Sequence, residues 1–167
     1  MLCGVVSAMT IRMSREDKAA HLANVFRIAR ADGKTGGEEA EILRDILEAI
    51  GGDDSDLEAA RTILSGPDQG FRLSEVPSQR FANMEDMVLM ALADGHVGPE
   101  EAAPIEKISD ALRYSQTDMN MIVRRAESRL QALRRKAATT PSAPRPAPPP
   151  VPKPPPPPAP PPAPPVQ

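Results

Sequence analysis

Two stretches of this chain carry acidic residues at the same spacing: Asp32, Gly33, then Glu38 and Glu39, and Asp94, Gly95, then Glu100 and Glu101. Carboxylates held in a pair of short loops could gather around a hard cation, for which their oxygens suit Ca²⁺, Mg²⁺ or Mn²⁺. They could also serve the helices beside them. Glutamates in a first helical turn oppose the positive end of its dipole, and glycine ends the preceding helix. The aspartates fit that account less well, because each stands beside a helix C-terminus, where negative charge is unfavourable. Asp32 and Asp94 could cap the following helix, pair with a neighbour such as Arg30, or share a cation with the glutamates.

An EF-hand is excluded. Placing Gly33 and Gly95 at loop position 6 puts Ile28 and Met90 at position 1 and Arg30 and Leu92 at position 3, where oxygen ligands are required. Catalytic chemistry finds little support. His21 and His96 are the only histidines, and His96, beside the second acidic loop, has Lys34 as its counterpart in the first. No phosphate-binding glycine loop, nucleophile elbow or Cys–His pairing occurs, so an enzyme is not expected.

The loops belong to a longer duplication. Residues 31–50 and 93–112 share nine of twenty positions without a gap, at an offset of 62 that continues through Ser55-Asp56-Leu57 and Thr117-Asp118-Met119. Repetition at one offset implies one structural unit built twice. Ser14 and Asp17 read as a capping box opening a first helix to about Ala31, with Leu22, Val25, Phe26 and Ala29 on one face. A second helix starts near Glu38, carries Ile42, Leu43, Ile46, Leu47 and Ile50, and stops at Gly51. Its wide apolar stripe predicts a central helix. Ser55 with Glu58 suggests the cap of a third helix, ended by Gly66-Pro67.

Residues 66–77 read as a loop tolerant of insertions, with a turn of helix at Leu73 to Val76. The second unit begins near Ser78. Pro99 suits the first position of its middle helix, but Pro104 should kink that helix or delay its start by a turn. Thr117 reads as the cap of a long last helix striped with Met119, Ile122, Val123, Ala126, Leu130 and Leu133. No strand pattern occurs. The expected fold is all-α: two three-helix units, about 14–65 and 78–136, packed as a six- or seven-helix bundle.

Composition sets the outer limits. Seventeen of the 21 prolines lie between Pro141 and Pro165, so residues 141–167 should form a disordered polyproline tail, a spacer or a ligand for an aromatic groove. Residues 1–13 read as an N-terminal extension, with Met9 and Met13 as alternative starts. Cys3 is the only cysteine, which excludes a disulfide framework and fits the cytoplasm. No stretch is long and apolar enough to span a membrane.

Net charge is −3, yet every acidic residue precedes Ser128, while Arg124, Arg125, Arg129, Arg134, Arg135 and Lys136 crowd the last helix. These six are the candidate basic patch for a partner. With no Trp and one Tyr the chain lacks a stacking platform, and sequence-specific nucleic acid is not expected.

Asp-Gly, four residues, Glu-Glu and an Ile/Leu-rich helix, present twice, resembles the TerB-like family associated with tellurite resistance. The resemblance spans roughly residues 14–136. It implies an all-α, non-enzymatic domain of bacterial stress proteins. It also implies a metal-binding role for Asp32, Glu38, Glu39, Asp94, Glu100 and Glu101, and protein partners in membrane-linked metal-response systems. The family also occurs beside J-domains, but this chain has no His-Pro-Asp tripeptide.

Overall fold

A computed structural model describes residues 13–31, 37–67, 70–95 and 97–139. The N-terminal extension before Met13, the first loop with Asp32, His96 and the proline-rich tail lie outside the described residues. Six helices follow one another: α1 Arg15–Ala29, α2 Gly37–Ala49, α3 Asp54–Ser65, α4 Pro77–Ala91, α5 Pro99–Leu112 and α6 Gln116–Thr139. Among the described residues there is no strand. Each helix of the second unit starts 62 residues after its counterpart, so the sequence offset is also the structural one.

Local chemistry repeats along with the helices. Ser14 caps α1 by accepting the Asp17 N–H at 3.1 Å, as the spacing predicts. The caps of α3 and α6 lie two residues earlier than expected. Asp53, not Ser55, accepts the Ser55 and Asp56 N–H groups at 2.9 and 3.2 Å, and Asp56 returns the bond to the Asp53 N–H. Ser115, not Thr117, makes the same box with Asp118. Hydrogen bonds from Ser55 and from the Asp56 backbone hold the Asp53 carboxyl below its ordinary range, and the Ser115 hydroxyl and backbone do the same for Asp118.

The position that ends the middle helix is left-handed in both units: Gly51 has φ +62° and its counterpart Arg113 has φ +55°. A side chain there costs about 1 kcal/mol against glycine. Arg113→Gly is therefore expected to stabilise the domain by about that amount, seen as a rise of a few degrees in Tm.

Packing follows the duplication. Within each unit the first helix pairs with the third, α1 with α3 and α4 with α6, and the units join where α1 crosses α4. Each middle helix touches the first helix of both units. The central helix is α4, not α2. Met84, Met87, Val88, Leu89, Met90 and Ala91 of α4 are buried, whereas α2 buries only Ile42 and Ile46 fully. A strong one-sided stripe marks a helix with one face in solvent; a helix enclosed on several sides is apolar around much of its circumference.

Two further expectations are corrected. α5 begins at Pro99 and runs through Pro104 without a late start. Leu73 to Val76 form no helical turn, and the residue before them is tied to α1: Asn24 donates to the Arg72 carbonyl at 2.8 Å and accepts the Arg72 N–H at 3.2 Å. Phe71 and Leu73 pack against the core, so residues 71–74 are a pinned strap and not a tolerant loop.

Candidate functional site

The acidic residues separate by role. Glu101, at the third position of α5, turns back and accepts the Gly98 N–H at 2.9 Å, closing a capping interaction on its own helix. Glu100 leans the same way: a Cβ at Gly98 would meet Glu100 Oε2 at 3.3 Å and Glu101 Oε2 at 3.5 Å. Asp94 is exposed, followed by Gly95 at φ +86°. Glu38, at the start of α2, forms an ion pair with Arg134 of α6. Glu39 borders a cavity between the helices of the first unit.

Arg134 is the meeting point of the two corners. Its guanidinium donates to both Glu38 oxygens and, at 2.9 Å, to the carbonyl of Ala93, one residue before Asp94. The hydrogen bond to Glu38 holds the guanidinium pKa above its ordinary value. Carboxylate and carbonyl oxygens are the donor set of a hard cation, so the chemistry fits Ca²⁺, Mg²⁺ or Mn²⁺ better than a thiolate-seeking metal. Among the described residues, no three His, Cys, Asp or Glu side chains are gathered so as to hold a metal ion.

The basic residues of α6 also divide. Arg125 pairs with Glu85 at 2.7 Å, and Arg129 reaches Asp45 at 2.7 Å and Asp86 at 2.6 Å, joining α6 to α2 and α4. Burial disfavours the charged guanidinium of Arg129, but Asp86 and Asp45 outweigh it and hold the pKa above its ordinary value. Arg125, Arg129 and Arg134 thus bind the protein's own carboxylates. Arg124, Arg135 and Lys136 remain exposed on the outside of α6.

Sequence reasoning missed the buried junction where α1 crosses α4. His21 Nε2 lies 2.7 Å from Asp86 Oδ2, and the Asn24 amide donates to Asn83 Oδ1 at 2.7 Å. The offset of 62 pairs His21 with Asn83 and Asn24 with Asp86, so each bond occupies the other's place in the duplicated unit. All four side chains are buried. The signal was present as polar residues on apolar helix faces, at matched positions of both units.

A cavity of about 460 Å³ opens in the first unit, floored by Phe26, Leu43, Leu64 and Met90, with Arg30 and Arg61 at its edge. No described helix is long and apolar enough to cross a membrane.

The family model described as tellurite resistance protein TerB matches residues 2–62 and 69–124. Neither a curated protein nor a solved structure matches the chain. The first segment takes in α1, α2 and most of α3, the second takes in the strap, α4, α5 and the first part of α6, and the chain belongs to the TerB family of tellurite resistance proteins.

Proposed function

We propose that this chain is a non-catalytic binding domain of a tellurite-type stress or metal-resistance response, with a divalent cation as the ligand of its acidic corners. One observation carries the reading: a single guanidinium, Arg134, is clasped by Glu38 of the first unit and by the backbone next to Asp94 of the second. Oxygens from the first turn of α2 and from the end of α4 converge on positive charge at that place. Glu38, Asp94 and Glu100, with Asp32, would supply the ligands, and the ion would neutralise acidic groups there. Arg134 would stand in for part of that charge in its absence. Among the described residues the one histidine, His21, is paired with Asp86 in the core, which favours a binding role over acid–base catalysis.

The test is thermal melting of the full chain with EDTA, Ca²⁺, Mg²⁺, Mn²⁺ or Zn²⁺, beside a variant carrying Asp32→Asn and Asp94→Asn. A cation that binds only the folded state stabilises it by about 2.7 kcal/mol at 100 times its dissociation constant. The expected result is a rise of several degrees with one ion, absent in the double variant and larger in Arg134→Gln, which lacks the resident charge. Identical melting in every condition would remove the cation from the proposal.

A second reading, a metal-independent adaptor, is favoured by the outer face of α6. There Met121 is exposed and shares a shallow hollow with Arg124 and Arg125, a surface suited to an acidic, partly apolar protein partner. Partner capture that survives chelation and the double substitution would select it.

A further inference from the structure

The duplication supplies an internal reference for the cavity of the first unit. At an offset of 62, its wall residues Phe26, Ala29, Leu43 and Leu64 correspond to Val88, Ala91, Ile105 and Ala126. In the second unit all four counterparts are buried in the core. There the space is closed by Leu92 and Val123, which pack against that core. The residues at the corresponding places in the first unit are Arg30 and Arg61, both exposed. Two apolar plugs are thus replaced by two cations, and the first unit retains about 460 Å³ of open space behind them.

From this asymmetry we infer that the cavity between α1, α2 and α3 binds a medium-chain carboxylate, its alkyl chain against Phe26, Leu43, Leu64 and Met90 and its head group beside Arg30. A largely apolar hollow with a few charged groups at one edge is the usual form of a small-ligand site. The edge carries Arg30, Arg61, Glu39 and the exposed Ser65, whose hydroxyl donates to the Arg61 carbonyl. Arg61 also approaches Glu58 at 3.4 Å across exposed surface, a weak pair that leaves Arg30 as the principal partner for an anion. The floor offers no polar side chain, so the buried end of the ligand must be hydrocarbon. This inference is independent of the cation reading, because Glu38, Asp94 and Glu100, proposed there as ligands, do not line the cavity.

The experiment is titration of the full chain with octanoate, decanoate and decanol, followed by calorimetry and by the methyl resonances of methyl-labelled methionine. The expected result is saturable binding that moves the Met90 methyl signal ahead of those of Met84 and Met87, which lie in the closed core. Each added methylene should tighten binding about fourfold. Arg30→Gln should weaken decanoate about tenfold and leave decanol unchanged. Ala40→Phe, at an exposed position on the cavity lip, should weaken both without altering the circular dichroism of the free protein. Absence of saturable binding, no dependence on chain length, or undiminished binding by Ala40→Phe would overturn the inference. So would binding to anionic phospholipid vesicles without binding to monomeric decanoate, which would assign the arginines to a membrane surface.

Discussion

Replacing Asp86 by alanine is expected to cost about 3–5 kcal/mol, the range for breaking a buried ion pair and leaving its partner behind. Asp86 touches two partners at once, His21 of α1 at 2.7 Å and Arg129 of α6 at 2.6 Å, and its side chain is only 4% exposed. Without it, His21 is left with an unmatched ring nitrogen in the core, and Arg129 keeps only the more exposed Asp45. A domain of this size has roughly 5–15 kcal/mol of stability in total, so the variant should unfold at much lower denaturant concentration. Adding Arg129→Met should restore part of the loss, because no cation is then stranded. Urea melts of the wild type and the three variants give the coupling directly. A cost below about 1 kcal/mol for Asp86→Ala would mean that water replaces the carboxylate and that the junction is not dry.

Met87→Ala should be nearly as severe, at about 2–5 kcal/mol, because Met87 lies fully buried on the helix that touches α1, α2, α5 and α6. Leu47→Ala on α2 is the control. Leu47 is one of the stripe residues that make α2 read as central, but it is only partly buried and should cost about 1 kcal/mol. Equal losses at the two positions would contradict the assignment of α4 as the core helix. The comparison needs only denaturant midpoints, provided the slopes of the transitions agree.

These two sites show what the chain discloses before it is folded. Helix identity, helix order and duplication are local or periodic properties. Ser14, Gly51, Pro77 and Pro99 mark boundaries by their own backbone and hydrogen-bonding preferences. The TerB resemblance, carried by a short motif written twice, was legible for the same reason. Which helix is central was not, because Met84, Met87 and Leu89 announce burial without naming their neighbours. The His21–Asp86 contact joins residues 65 positions apart, and no spacing rule connects them. Arg129 and Arg134 read as part of a basic patch for a partner until the fold brought Asp45, Asp86 and Glu38 against them. The cavity was hidden differently: Arg30 and Arg61 become informative only when compared with Leu92 and Val123, once the offset is known to hold for the third helix.

The length of α6 bears on how the domain carries load. α3 has 12 residues and α6 has 24, and the added half contains Arg129 and Arg134. The chain leaves the helical body at the end of α6, so tension applied beyond Thr139 enters along that helix. It reaches the Arg134 clasp first, then the apolar contacts of Leu133 and Leu130 with the core, then Arg129, and last Ala126 and Ile122. Pulling therefore peels the helix one tie at a time, and the first tie to yield is the one that joins the two acidic corners. A mechanical signal arriving through the C-terminal end would be felt at Glu38 and the Asp94 loop before any hydrophobic contact is lost.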